Sequence, residues 1–219
     1  MRVVVIGGSG RTGRLIVEQL VKAGHQTVAT IRNPKHMAAM VKLGAETVIL
    51  DLEESTGPDF QAQFKSADAV IFAAGSAAGE SSELDRAGIT KTARAAKSAG
   101  VRRYLMISSI GASTGMKLSG VMNNDEMRDY YKQKRAAGKY LRESGLDWTI
   151  LEPSELTDGK GAGKVTLSEE ALDPTKPIAR ADVAAVLVAL LETDKSIGHA
   201  YQLTGGKTVI AKAVAAVTG

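Results

Sequence analysis

Residues 3–13 read Val-Val-Val-Ile-Gly-Gly-Ser-Gly-Arg-Thr-Gly. The β-branched run from Val3 to Ile6 predicts a fully buried strand. It stops at Gly7, glycines recur at Gly10 and Gly13, and residues 14–21 read as a helix. A strand, a glycine-rich turn and a helix start together form a socket for a phosphate. The first glycine permits the tight turn, the second lets the backbone approach a pyrophosphate, and the third lets the helix pack close to the strand. Unpaired N–H groups at the helix start supply the donors.

A competing phosphate motif, G-x-x-x-x-G-K-[ST], nearly fits from Gly8 to Gly13. It fails at the next two residues, Arg14 and Leu15, which supply neither the lysine for the terminal phosphates nor the hydroxyl for magnesium. A dinucleotide is therefore expected rather than a nucleoside triphosphate. The spacing G-x-x-G-x-x-G resembles that of the short-chain dehydrogenase/reductase group. A glycine-rich turn that binds nothing is the bland alternative, and the flanking strand and helix weigh against it.

The rest of the chain sets bounds. With 219 residues it suits one domain with a sizeable core, spanning 1–219. Hydrophobic residues make up 44% and charged residues 24%, as in ordinary globular proteins. The longest apolar runs, such as 183–191, are too short to span a bilayer, and no signal-peptide pattern precedes the first strand. There is no cysteine, which excludes disulfides and thiolate metal sites and fits a cytoplasmic protein. His25, His36 and His199 lie far apart without ligand spacing, so they read as surface residues and no metal is expected. Net charge is +4, but aromatics are only 4% and basic residues are scattered, which argues against nucleic acid. Part of that charge can serve an anionic cofactor.

Strand candidates at 2–6, 26–31, 47–50, 69–73, 104–107, 148–151 and 200–203 alternate with helix candidates. The helices are expected at 14–21 (stopping at Gly24), 33–44 (Asn33 as N-cap, Pro34 next), 59–65, 82–98, 126–144, 183–191 (opened by Asp182) and 209–217. Short, unalternated apolar strands fit a sheet covered by helices on both faces. The expectation is an α/β fold: a doubly wound, mostly parallel, Rossmann-like sheet in three layers. Two stretches, 111–125 and 152–179, break the rhythm after strand ends and are expected as substrate-side loops forming a small cap.

Chemistry-bearing residues cluster at those strand ends. After the second strand, a site for NAD would place an acid for the ribose 2′-OH; this chain has Arg32, with Lys35 and His36 nearby. A guanidinium binds a 2′-phosphate, so NADP(H) is expected over NAD(H). Asp51 and Leu52 follow the third strand, where a carboxylate can accept from an adenine amine and a leucine can cover the ring. Ala73, Ala74, Gly75 and Ser76 follow the fourth, small enough to admit a ribose. Ser108 and Ser109 end the fifth. Tyr130 and Lys134 stand at i and i+4 on one helical face, a spacing at which an ammonium favours tyrosinate and a phenol can pass a proton. Ser109 can orient a substrate carbonyl. Tyr131 with Arg135 repeats the same spacing and reads as a decoy.

With these residues in place, the chain resembles the atypical short-chain dehydrogenase/reductases of compact NAD(P)-binding type, relatives of the NmrA-like and biliverdin-reductase-B-like groups. The resemblance rests on the turn at 7–13, Ile-Arg-Asn-Pro at 31–34, Leu-Asp-Leu at 50–52, the stretch 101–112, the stretch 144–153, Arg180-Ala-Asp-Val-Ala, and a late Leu-Thr-Gly-Gly. It implies NADP(H) contacts at Gly7, Ser9, Gly10, Arg11, Thr12, Gly13, Arg32, Asp51, Leu52, the 73–75 turn, Ser108 and Lys134, with a loop at Pro153 near the nicotinamide. The family often has Arg-Pro-Gly where this chain has Glu152-Pro153-Ser154-Glu155, placing two added carboxylates near the reactive end. Gly138 stands where an acid is usual.

The leading functional expectation is an NADP(H)-dependent oxidoreductase reducing a small carbonyl, quinone or flavin-like acceptor, with Ser109, Tyr130 and Lys134 at the reaction. A different class is an NADP(H)-binding redox sensor that transfers no hydride. A third, a sugar-nucleotide epimerase, suffers from the short remainder after the sixth strand. The expected partner is a small molecule, with no nucleic acid and no membrane, on a monomer or homodimer.

Overall fold

In the computed structural model, which describes residues 1–75, 83–117 and 123–219, Val3 to Ile6 lie on a central strand with helices on both sides. The chain runs β1 (Arg2–Ile6), α1 (Arg11–Lys22), β2 (Gln26–Ile31), a 3-10 turn (Pro34–His36), α2 (Met37–Lys42), β3 (Glu46–Ile49), α3 (Gly57–Phe64), β4 (Ala69–Phe72), α4 (Glu83–Ser98) and β5 (Arg103–Ile107). It continues through α5 (Asp125–Glu143), β6 (Asp147–Pro153), β7 (Leu156–Thr157), β8 (Lys164–Ser168), β9 (Ile178–Ala179), α6 (Arg180–Leu191), β10 (His199–Gly205), β11 (Thr208–Val209) and α7 (Ile210–Thr218). Ser76, Ser82 and residues 118–122 of the expected loop 111–125 lie outside the described residues.

Among the described residues the main sheet has the order β11-β8-β10-β6-β5-β4-β1-β2-β3. All pairs from β10 to β3 are parallel; β8 pairs antiparallel with both β10 and β11. This is the doubly wound, mostly parallel fold that the alternation predicts. Strand order reverses between β1 and β4, which leaves a crevice at their C-terminal ends.

The period of two along β1 builds the three layers. Val3 and Val5 join Ile16, Val17 and Leu20 of α1 and Val183 and Leu187 of α6. Val4 and Ile6 face the other way, onto Phe60 and Phe64 of α3, Ile89 of α4 and Leu141 of α5. The α6 helix is apolar on nearly every side because it packs against α1 and α7 as well as the sheet. At the opposite, N-terminal edge of the sheet, Arg103 is buried. Its guanidinium donates to the carbonyls of Asp147 and Leu190 and to the hydroxyls of Thr149 and Ser196, and burial lowers its pKa to about 10.

Local signals set most helix ends. Asn33 and Asn124 cap as N-cap residues, and Thr56 forms a capping box with Asp59. Gly24 follows α1 with φ +83°, the left-handed conformation a helix stop needs. Two expectations need correction. The first helix begins at Arg11, not residue 14, because Gly13 is part of its first turn. The stretch 152–179 is not only loop: Lys164–Ser168 adds a strand to the main sheet, and Leu156–Thr157 pairs with Ile178–Ala179 in a separate two-stranded sheet. The outer strand alternates buried and exposed residues, a signal outweighed by the surrounding glycines and prolines. No helix among the described residues is long and apolar enough to cross a membrane.

Candidate functional site

The glycine turn is built by close contacts that exclude side chains at Gly7, Gly13 and also Gly8, whose Cβ would lie 2.7 Å from the Ala29 Cβ on β2. Gly7 has φ +74°, and a Cβ there would lie 2.8 Å from the Ala74 Cα on the neighbouring turn after β4. A Cβ on Gly13 would fall 2.1 Å from the Gly7 carbonyl oxygen. The third glycine thus packs α1 onto the turn itself, rather than onto the strand. Gly10 differs. Its φ of −67° suits any L-residue, and its Cβ would meet only the Gly7 oxygen, at 3.2 Å. Its smallness therefore has no packing cause of the kind found at Gly7 and Gly13.

A cleft of about 460 Å³ opens above this turn. Its wall includes Gly7, Ser9, Gly10, Arg11 and Thr12 from the turn and α1, Arg32 after β2, and Asp51 and Leu52 after β3. Ala73, Ala74 and Gly75 after β4, Ser108 after β5, and Tyr130 and Lys134 of α5 are the other predicted residues on it. The parallel sheet brings these distant segments together because every crossover returns the chain to the same edge. Gly13, Ser109 and Pro153 are not on that wall: Gly13 lies behind the turn, and Pro153 is buried at the end of β6. A larger groove, about 700 Å³, lies between α3, α4 and α5, away from the strand ends. Its Lys91 ties the 51–55 turn through the carbonyls of Leu52 and Ser55 at 2.7 Å, so we place the site in the cleft at the switch point.

Electrostatics distinguish the cleft. The first turn of α1 holds no acidic residue and instead carries Arg11, against the helix dipole. Asp51 shapes its own turn, its Oδ1 accepting from the amides of Glu53 and Glu54. Lys134 is 7% exposed, and its Nζ lies 2.8 Å from Oδ2 of Asp85, itself 4% exposed. Asp85 also lines the cleft, as do Thr30, Leu156 and Arg180. The sequence reading missed Asp85. A signal existed: Asp85, Gly88, Ile89 and Thr92 form the buried stripe of α4, and a charge on that stripe needs a partner. Arg180 appeared only inside a family motif, with no role assigned.

The two tyrosines separate. Lys134 Nζ is 5.4 Å from the Tyr130 ring centroid, and Tyr130 borders the cleft. Tyr131 is buried and donates to the Ile110 carbonyl at 3.1 Å. Ser109 Oγ donates to the Tyr131 hydroxyl at 3.4 Å, so the serine meets the tyrosine read as a decoy, not Tyr130. Burial raises the Tyr131 pKa. Of the two added carboxylates, Glu155 is exposed, while Glu152 is buried and accepts from Ser113 N and Oγ, both at 2.9 Å. Burial raises its pKa, against the two hydrogen bonds from Ser113. The histidines are dispersed: His25 faces Glu192, His199 faces Glu169 and His36 is exposed.

Comparison with known proteins fits this geometry. A family profile described as NAD(P)H-binding matches residues 7–194. The chain belongs to that family. The resemblance to the atypical short-chain dehydrogenase/reductases is thereby established, as is the Rossmann-like fold. The Bacillus subtilis (strain 168) protein YhfK, named an uncharacterized sugar epimerase, is 32% identical over 219 residues, 98% of this chain and 99% of its own. A solved structure from Bacillus halodurans, provisionally an NAD-dependent epimerase/dehydratase, has a TM-score of 0.88 at 34% identity, covering 99% of each chain. The oxidoreductase ylbE of Lactococcus lactis has a TM-score of 0.87 at 29% identity, covering 99% of this chain and 96% of its own.

Proposed function

We propose that this protein is an NADP(H)-dependent oxidoreductase that reduces a small carbonyl, quinone or flavin-like acceptor. The observation that carries the proposal is the single cleft joining the glycine turn, Arg32 and the Tyr130–Lys134 face of α5. The cleft fits a dinucleotide: Gly10 leaves the backbone of the turn bare, and a cation stands in the first turn of α1. Arg32 binds the 2′-phosphate, the turn at 7–12 takes the diphosphate, and Asp51 with Leu52 borders the adenine. Lys134 holds the nicotinamide-side ribose hydroxyls, next to Ala73–Gly75 and Ser108. When bound, the reduced nicotinamide supplies a hydride. Tyr130 faces the same space and offers a phenolic proton to the acceptor oxygen. The YhfK name points to an epimerase; the described segments after β6 form the outer strands of the sheet, the small β7–β9 sheet, and α6 and α7.

One observation favours a second reading, a redox sensor that binds NADP(H) without turnover. Asp85 already matches the charge of Lys134, and Ser109 engages Tyr131, so among the described residues Ser109 does not join Tyr130 and Lys134 in one set. A turnover screen separates the readings: NADPH with quinones, flavins and aldehydes, followed at the nicotinamide absorbance. Oxidation of NADPH by any of these classes supports the enzyme. Binding of NADPH with no oxidation across the screen supports the sensor.

A further inference from the structure

The two-stranded sheet of β7 and β9 aligns Leu156 with Ile178 and Thr157 with Ala179. One step further along each strand stand Asp158 and Arg180. Arg180 Nη1 lies 2.7 Å from Asp158 Oδ1. The other oxygen of the same carboxylate, Oδ2, lies 3.4 Å from Nη1 of Arg11, across the cleft on the first residue of α1. Two guanidiniums from opposite sides of the cleft therefore share one carboxylate, and both line the cleft. Their exposures differ: the Arg180 side chain is 11% exposed, against 73% for Arg11 and 68% for Asp158.

We propose that Arg11 and Arg180 form an oxyanion subsite that Asp158 occupies in place of a ligand, and that the ligand it takes is the diphosphate of the dinucleotide. The proposal rests on the NADP(H) reading above. Three features support it. A guanidinium that is nearly buried is costly unless paired, and its carboxylate partner is itself mostly exposed, so water can take over the carboxylate when a ligand replaces it. The carboxylate marks a position where one oxyanion reaches both cations. Arg11 belongs to the same turn as Ser9, Gly10 and Thr12, and all four residues line the cleft at the start of α1. A diphosphate carries more charge than a carboxylate and pairs with guanidinium groups in the same planar geometry, so it displaces Asp158. Asp158 is then a competitor, and its removal strengthens binding.

Calorimetric titration of the intact protein with NADPH, and separately with inorganic pyrophosphate, tests this. Asp158→Asn should tighten both by about threefold, the scale of one partly exposed ion pair. Arg180→Gln should weaken both by about tenfold, the scale of one charge-assisted hydrogen bond. In the double variant, Asp158→Asn should add less than it does alone, because only Arg11 is left for the carboxylate to shield. If Asp158→Asn weakens NADPH binding or leaves it unchanged while the wild type binds normally, Asp158 is only a strap and the proposal fails, with the cofactor reading intact. Tightening for pyrophosphate but not NADPH rejects the assignment to the cofactor's diphosphate. A wild-type protein that binds no dinucleotide overturns the cofactor reading and the subsite together.

Discussion

Glu152 and Gln202 stand side by side in the parallel register of β6 and β10, and each grips a segment that follows another strand. Glu152 accepts from the amide and hydroxyl of Ser113. Gln202 donates from Nε2 to Thr114 Oγ1 and accepts at Oε1 from the amide of Leu172. Two buried polar side chains at neighbouring strand ends thus hold the segments after β5 and after β8 in one wall. Such a network is informative because each member is buried with its partners supplied.

The Glu152 carboxylate gives the network a pH signature. Burial raises its folded-state pKa above its ordinary value, so the folded chain binds more protons than the unfolded chain between those two values. Its contribution to stability therefore falls as pH rises through that window and is most favourable below it. Relative to Glu152→Gln, the wild type should gain stability on acidification through the window just above the ordinary carboxylate range. Urea unfolding of both proteins across that range measures the difference. A constant difference with pH would refute the burial argument.

On the proposed reading, Arg32 is the selector between the two cofactors. NADPH should bind at least about tenfold more tightly than NADH, since one charge-assisted pair is worth roughly 1.5–3 kcal/mol. Arg32→Ala should remove most of that ratio while changing NADH affinity little. Titration with both nucleotides decides; equal wild-type affinities would reject Arg32 as the selector.

The glycines of the turn should separate folding from binding. Gly13→Ala drives a Cβ toward the Gly7 carbonyl at 2.1 Å and should cost about 1–3 kcal/mol of stability or more. Gly10→Val keeps an allowed backbone and should cost about 1 kcal/mol as a poorer N-cap, yet abolish NADPH binding by covering the exposed turn. Thermal unfolding paired with titration distinguishes them.

The α5 face should divide between proton and ribose. Tyr130→Phe should lower turnover by about 10²–10⁴-fold with NADPH affinity nearly unchanged, if the phenol supplies the proton. Lys134→Ala leaves the Asp85 carboxylate buried without its cation, which should cost about 3–5 kcal/mol. Adding Asp85→Asn to Lys134→Ala should restore much of that stability without restoring NADPH binding. Additive losses in the double variant would show that the pair is not coupled.

Much of the fold was readable in the chain because its signals are local. A β-branched run ending at Gly7, Asn33 before Pro34, and Gly24 after an amphipathic stretch each constrain their own few residues. Cleft residues that sit at strand ends, such as Arg32 and Asp51, were readable for the same reason: parallel connectivity sends every strand's C-terminal end to one edge. The strands of 152–179 were not: the two-residue strands at 156–157 and 178–179 take their identity from the partner they meet, and the alternation at 164–168 lies among glycines and prolines that read as loop.

The tertiary structure alone decided the pairings. Spacing along a helix made Tyr130 with Lys134 and Tyr131 with Arg135 equivalent; rotation of α5 against the sheet sent Tyr131 inward to Ser109 and left Tyr130 at the cleft. Likewise Asp85 reaches Lys134 across 49 positions, and Asp158 reaches Arg11 across 147. Sequence fixes which charges exist and which face of an element carries them. Whether a charge is buried, and which opposite charge it then needs, depends on how the elements dock, because the cost of desolvation is set by the packed environment and not by the neighbours in the chain.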